Sequence, residues 1–266
     1  MNTQVNVFIP SYCGPEGSTL RDHRKEIHNR QLIWLLENHK FDKIYVASQG
    51  YQAEDYVADE RIIYLDVPPR NPATARNVLL EQLDNIGGIG IFIDNDLTSL
   101  ATLDSIISRI TTRADWELLG LTYIGKKKPS SEVPEEITFK RLTSFATGAF
   151  AIRAGLGVRF DENLEDMEDK EFSFNLMLRC KHRYYQVNNC TAWFYYDEGE
   201  STIYRNSTDR SKKYKIALEE IKKKYQKEIA PYNGDHLKAI SELTYPKQIT
   251  FTEGIPMQPM IATKLF

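Results

Sequence analysis

Ile89-Gly90-Ile91-Phe92-Ile93-Asp94-Asn95-Asp96 is a short apolar run that ends in two carboxylates separated by one residue. A strand buried on both faces of a parallel sheet has this continuous apolar character rather than an alternating one. In open α/β sheets, ligands bind where such strands end. Unpaired carboxylates are too costly to bury, so Asp94 and Asp96 are expected at the rim of the sheet and not in its core. Two acids this close repel each other unless a cation lies between them. Hard oxygen ligands suit Mg²⁺ or Mn²⁺, so the expected occupant is such an ion, held by Asp94 and Asp96 and gripping a diphosphate. A plain turn after a strand would use the same residue types, and the surrounding sequence has to decide between the two.

Outward from this run, strands and helices alternate. Val5 to Tyr12, Lys43 to Ser48 and Arg61 to Val67 are expected strands. Helical stretches run from about Thr19 to Lys40 and from Asn71 to Leu83, with a short helix from Tyr51 to Val57. Asn71-Pro72 gives the second long helix an N-cap followed by proline in its first turn. Leu100, Leu103, Ile106, Ile107 and Ile110 recur at helical spacing after the aspartates. This order predicts an α/β fold with a parallel sheet and right-handed crossovers.

Beyond Asp115 the pattern changes. Trp116 to Ile124, Ile137 to Leu142 and Gly148 to Arg153 read as strands without a long helix between them, and 126–136 as a mobile loop. A helix is expected around Glu168 to Cys180, then strands at Tyr184 to Val187 and Thr191 to Tyr196, then a helix from about Thr208 to Lys227. The expectation is a single domain over 1–245, with a nucleotide-binding half (1–115), an acceptor half (116–245) and an irregular tail (246–266).

The 266 residues are 41% hydrophobic with a formal net charge of −3, so any nucleic-acid-binding surface has to be local. Cys13, Cys180 and Cys190 lack metal-ligand spacing and do not make a disulfide set, which fits a reducing cytoplasm. The start has no leader pattern and no apolar run nears membrane-spanning length, so the expectation is a cytoplasmic protein with no membrane partner.

Three further stretches carry chemistry. Arg70-Asn71-Pro72-Ala73-Thr74-Ala75-Arg76-Asn77 opens a helix, whose N-terminus favours anions. Arg70 and Arg76 add charge-assisted forks for phosphate oxygens, and Asn77 has an amide for a phosphate or for the aspartate loop. Phe160 to Phe172 holds seven acidic residues; an aspartate at a helix start facing the cation would serve as general base. Gly148, on the preceding strand, lets the backbone lie close to a sugar. Arg205 to Lys227 holds nine Lys or Arg. Much of that charge suits a solvated helix face; Arg205 and Arg210 also suit a donor diphosphate or an acceptor nucleic acid.

In order, these pieces resemble the metal-dependent glycosyltransferases of the GT-A fold, a Rossmann-type mixed sheet flanked by helices. The resemblance rests on Ile9-Pro10-Ser11-Tyr12 at the end of the first strand, Ala75-Arg76-Asn77, Asp94-Asn95-Asp96 and Met167-Glu168-Asp169, and covers roughly residues 5 to 230. It implies donor contacts from Pro10, Ser11, Tyr12, Arg76, Asn77 and Asn95, a Mn²⁺ or Mg²⁺ on Asp94 and Asp96, and proton abstraction by Asp169 with Glu168 beside it. The implied donor is a nucleotide-sugar, UDP-sugar foremost, and the implied acceptor a hydroxyl; attack with Asp169 on the opposite face would invert the anomeric centre. Many members take a third metal ligand from a downstream histidine. The comparable place here is Phe194-Tyr195-Tyr196-Asp197-Glu198, so Asp197 or Glu198 stands in, with His236 far along the chain as the other candidate.

A narrower resemblance, carried by the Phe-Ile-Pro-Ser-Tyr start and the Ile-Asp-Asn-Asp-Leu strand end, is to the phage-frequent TET/JBP-associated glycosyltransferases. It implies DNA carrying hydroxymethylated pyrimidines as acceptor and, for a phage-encoded chain, the host cytoplasm. Two rivals remain at this stage. Asp94-Asn95-Asp96-Leu97-Thr98 also fits the haloacid-dehalogenase phosphatase signature, with Asp94 as nucleophile. The other is a binding module for nucleotide-sugars or nucleic acid that has lost catalysis.

Overall fold

The computed structural model describes residues 4–12, 20–38, 40–95, 97–100, 111, 116–121, 148–164, 167–180, 184–188, 192–194, 210–233 and 247–250. Strands β1 (Val5–Tyr12), β2 (Lys43–Gln49), β3 (Ile62–Asp66) and β4 (Ile89–Ile93) run parallel in the order β3-β2-β1-β4. All five residues of β4 are buried, as a strand with partners on both edges and cover on both faces requires.

The sheet continues past β4 through β7 (Ala149–Arg153), β6 (Leu118–Leu121), β8 (Tyr184–Asn188) and β10 (Lys247–Thr250), giving eight strands. β7 is antiparallel to both of its neighbours, β4 and β6, while β8 and β10 extend the sheet in parallel with β6. The result is an α/β fold with a mixed, Rossmann-type sheet. A second sheet pairs β5 (Leu97–Leu100) with β9 (Ala192–Phe194), antiparallel, with Leu97 opposite Phe194.

Side-chain alternation along β1 builds two cores. Val5, Val7 and Ile9 pack with Leu32 and Leu35 of α1 (Leu20–Asn38) and with Trp116. Phe8 points the other way, towards α2 (Pro72–Ile86), α3 (Glu168–Arg179) and α4 (Arg210–Lys224), through Leu79, Leu83, Phe172, Phe174, Ala217 and Ile221. A fifth helix, α5 (Gln226–Ile229), follows α4 and buries Ile229 in the same core.

On this second face Tyr45, Phe8, Phe92 and Phe150 are register partners across four adjacent strands. Their rings stack at 5.1, 5.0 and 4.8 Å. Such cross-strand pairs add stabilisation beyond burial. A one-residue slip of β4 would send Phe92 to the wrong core. The Gly87-Gly88 turn that leads into β4 has both residues at positive φ. A Cβ at Gly88 would fall 2.5 Å from the Gln4 carbonyl oxygen, the oxygen that accepts from the Ile89 amide at 2.9 Å, so only glycine lets β4 start in register with β1.

Three local expectations change. Leu100, the first residue of the spacing read as helical, ends a strand, Leu97–Leu100; the backbone pairing of this strand with β9 outweighs a helical spacing set mainly by residues further on. Lys247–Thr250, placed in an irregular tail, adds an edge strand to the main sheet; four residues without an apolar run are too few for a sequence period to reveal. The short helix of 51–57 contracts to a single 3-10 turn, Ala53–Asp55. The expected strand at 137–142, the loop at 126–136 and the helix around 101–110 lie outside the described residues.

Candidate functional site

The backbone of Asp94 is pinned from two sides. Its amide donates to the Gly148 carbonyl at 3.0 Å, continuing the β4/β7 ladder, and its carbonyl accepts from the side chain of Gln31 on α1 at 2.8 Å. The carboxylate is left at the end of β4 with its side chain 30% exposed. Asn95, half-buried, follows it. Gly148 is buried at the start of β7 and meets Asp94 through its backbone.

α2 brings the counter-charge. Asn71 caps it, its side chain accepting from the Thr74 amide at 2.9 Å with Pro72 in the first turn, a cap worth about 1 kcal/mol. Ala73, Ala75, Leu79, Leu80 and Leu83 face the sheet, which leaves Arg76 directed along the strand ends. One guanidinium nitrogen donates to Asp94 Oδ1 at 3.0 Å, and the other lies 3.7 Å from Glu168 Oε1 at the start of α3. The Phe160 ring lies beneath the guanidinium at 5.4 Å. Burial by itself would lower the pKa of Arg76, but Asp94, Glu168 and the nearby charge of Asp169 together hold it above its ordinary value. Arg76 therefore joins the two acidic motifs, one at the end of β4 and one opening α3, into a single cluster.

The N-cap residue of α3, Met167, has a left-handed backbone (φ 64°) and a buried side chain. A non-glycine residue in that region is held by its surroundings. It turns the chain so that Glu168 and Asp169 occupy the first turn of α3. Asp169 Oδ1 accepts from the Lys170 amide at 2.8 Å, and its carbonyl accepts from Ser173 Oγ at 2.7 Å. Its carboxylate is half-buried.

Asn77 has a different task from the one its motif suggests. Its amide donates to the Phe160 carbonyl at 3.0 Å and to Glu162 Oε1 at 2.8 Å, and its oxygen accepts from the Phe160 amide at 2.7 Å. With both donor hydrogens committed, no donor remains for a phosphate. Arg70, exposed, pairs with Glu162 Oε2 at 3.1 Å, and Thr74 Oγ1 donates to the same oxygen at 3.0 Å. An internal carboxylate thus occupies the opening of α2 that the sequence suggested for a phosphate, because the 158–164 segment packs across it.

At the end of β1, Pro10 is half-buried and in register with Ala47. Ser11 is buried and accepts from the Tyr56 hydroxyl at 3.1 Å, within a network that continues to Ser48 Oγ at 2.7 Å from the same hydroxyl. Tyr12 carries the Arg24 guanidinium over its ring at 5.8 Å. Ser11 therefore spends its hydroxyl inside the fold, while Tyr12 is partly exposed. Arg210 opens α4. Asp96, Asp197 and Arg205 lie outside the described residues, as do Glu198 and His236. Among the described residues no group of three or more His, Cys, Asp or Glu side chains is arranged to hold a metal ion.

Sequence periodicity gave no sign of His28 and Gln31, which lie beneath the end of β4. Both are buried on α1, and His28 meets the Tyr56 ring edge-on at 5.2 Å. Neither imidazole nitrogen makes a hydrogen bond of ordinary geometry, although the Gln31 side chain and the Asn95 backbone lie close by. Burial lowers the His28 pKa from 6.5 to about 4, against those weaker opposing contacts. The unfolded chain takes up this proton as pH falls through 6.5, whereas the folded chain waits until about 4. Stability from this residue is full above pH 6.5 and is lost between those values, by about 3 kcal/mol in total. Urea midpoints at pH 7 and pH 4.5 should fall less steeply for His28→Leu than for the parent; equal slopes would show that His28 carries none of the acid sensitivity.

No protein-family model matches this sequence, and no curated protein matches it. Solved structures do. Residues 1–349 of S. aureus TarS in complex with UDP-GlcNAc match with a TM-score of 0.57 and 17% identity, over 82% of this chain and 66% of that one. S. aureus TarS matches with a TM-score of 0.50 and 16% identity, over 82% and 39%. Mannosyl-3-phosphoglycerate synthase from Rubrobacter xylanophilus reaches 0.47 at 11% identity, over 85% and 75%. The chain spans 39 to 66% of the length of the TarS chains it matches. At these identities the likeness establishes the fold: this chain has a GT-A-like α/β architecture. No helix among the described residues is long and apolar enough to cross a membrane.

Proposed function

We propose that this chain is a glycosyltransferase that moves a sugar from a nucleotide-sugar, a UDP-sugar foremost, to an acceptor hydroxyl. The observation that carries the reading is the Arg76 bridge, which draws the carboxylate at the end of β4 to the acidic first turn of α3. That arrangement sits at the carboxyl ends of the parallel strands, the edge at which open α/β sheets bind ligands. The fold is shared with TarS, whose solved complex holds UDP-GlcNAc, and this supports a nucleotide-sugar as the donor class.

In this reading Asp94 is one ligand of a Mn²⁺ or Mg²⁺ ion, with Asp96 and Asp197 as the proposed others. Leu97 opposite Phe194 in the small sheet is the observation that favours including Asp197. Bound there, the ion would neutralise the leaving diphosphate. The chain's own residues do the rest. Arg76 holds Asp94 and Glu168 in place. Asp169 takes the proton of the acceptor hydroxyl as it attacks the anomeric carbon. Arg205, Arg210 and the Gly148 backbone are the proposed remaining contacts to the donor. DNA with hydroxymethylated pyrimidines is the narrower proposal for the acceptor; Lys212, Lys215 and Lys223 on the exposed side of α4 support it by charge.

The phosphatase reading loses ground to the fold. Its signature belongs at the end of a first strand, whereas β4 follows three strands of the same sheet. The test is a panel of nucleotide-sugars with Mn²⁺ or with chelator, scored by melting temperature and then by release of nucleoside diphosphate. A ligand of the native state raises the melting point. The expected result is stabilisation by a UDP-sugar that needs the metal; no shift with any nucleotide-sugar would overturn the proposal.

A further inference from the structure

We propose that Asn77 and Glu162 are positioning residues for the acidic first turn of α3, acting as a clasp between α2 and the segment that leads into that helix. The inference rests on the transferase reading, in which Glu168 and Asp169 are the working carboxylates.

The segment from β7 to α3 has to deliver Glu168 to within reach of Arg76. It is held to α2 at two places: near its start the Gly155 amide and Arg159 donate to Asp84, each at 2.8 Å, and nearer α3 it is held at Phe160 and Glu162. Asn77 brackets Phe160, accepting from its amide at 2.7 Å and donating to its carbonyl at 3.0 Å. The second Asn77 donor goes to Glu162 Oε1 at 2.8 Å. Glu162 Oε2 takes Thr74 Oγ1 and Arg70 at 3.0 and 3.1 Å, while its carbonyl accepts from Asn71 Nδ2 at 3.0 Å. Four residues of one helix opening thus converge on a single glutamate of the segment.

The clasp is joined to the site by packing as well as by sequence. The Phe160 ring stacks on Phe172, inside α3, at 3.7 Å and 4°, and the same ring carries the Arg76 guanidinium. Arg76 and Asn77 are neighbours on α2, so the bridge to Asp94 and the clasp share one rigid base. The left-handed turn at Met167 lies between Glu162 and Glu168 and persists only while both of its ends are held. With the clasp open, that turn is free to relax, and Glu168 and Asp169 lose their fixed distance from Asp94.

Asn77→Ala, Glu162→Ala and the double variant test this in the full chain, with Glu162→Gln as the conservative control. Amide exchange is read by segment, without reference to activity. Residues 168–173 are expected to exchange about tenfold faster in both alanine variants, with β4 and residues 176–180 unchanged. The double variant should be no faster than the worse single one, since the two residues act as a unit, and Glu162→Gln should recover most of the protection. In turnover of UDP-GlcNAc or the best UDP-sugar of the panel, kcat should fall about tenfold while donor KM stays within about twofold. Exchange at 168–173 that is unchanged, or raised equally in every element, would overturn the clasp; so would a rise in KM at constant kcat. A parent chain that turns over no nucleotide-sugar would sink the transferase reading instead, and the exchange data would still decide the clasp.

Discussion

Asp94→Asn is expected to lower kcat/KM for a UDP-sugar by about 10³-fold or more, the scale on which losing one preorganised charge at a leaving group is felt. The substitution keeps the shape of the side chain and an oxygen to accept from Arg76, now at 3.0 Å, so the end of β4 and its backbone bonds to Gly148 and Gln31 should survive. What it removes is the negative charge. In the proposed site that charge holds the cation; in the structure it also balances a guanidinium that lies 3.7 Å from Glu168 and near the charge of Asp169. Melting temperature separates the two consequences. A fold that melts within a few degrees of the parent with turnover gone fits the proposal, whereas an Asn variant keeping a tenth or more of parental kcat/KM removes Asp94 from the site. Asp94→Ala is the poorer test, because it also leaves Arg76 without its hydrogen-bond acceptor and destabilises the strand end.

Asp169→Asn is expected to reduce kcat by about 10²- to 10⁴-fold, the usual range for loss of a positioned general base, with donor KM nearly unchanged. Its carbonyl bond to Ser173 and its place in the first turn of α3 do not depend on the charge, so the helix should remain. One readout bears on the role itself. The product of the parent enzyme should carry the inverted anomeric configuration, since a base on the face opposite the leaving group requires in-line attack. Retention of the donor configuration would take the base assignment away from Asp169.

The acidic window from Phe160 to Phe172 shows where sequence reasoning stops. Its seven carboxylates look alike in one dimension. In the structure Glu162 locks the opening of α2, and Asp161 pairs with Lys224 at 3.0 Å. Glu171 is fully buried, pairing with the same lysine at 2.8 Å and accepting from the Tyr225 hydroxyl. Burial and the Glu171 carboxylate push that hydroxyl's pKa well up. Glu168 meets Arg76. The basic helix divides in the same way: Lys224, although exposed, is committed to Asp161 and Glu171, so the charge available to a polyanion is smaller than the count suggests.

Asn77 and Ser11 carry the same lesson in reverse. Both sit in motifs that point to a donor, and both direct their polar atoms into the fold, Asn77 onto Phe160 and Glu162 and Ser11 into a hydroxyl network with Tyr56. A polar residue at a helix or strand end satisfies whichever partner packing brings nearest, and local sequence does not specify which that will be.

The order of apolar runs, caps and turns was enough to determine the parallel half of the sheet, the placement of Asp94 at its rim and the helices on either side. These follow from local propensity and from the cost of burying charge, both properties of a residue and its near neighbours. Only the tertiary structure decided which acid faces which cation. Around the candidate site those pairings join residues from 18 positions apart, Arg76 and Asp94, to 92 apart, Arg70 and Glu162, and they depend on strand register and helix packing, which bring distant side chains within 3 to 4 Å without leaving a period in the chain.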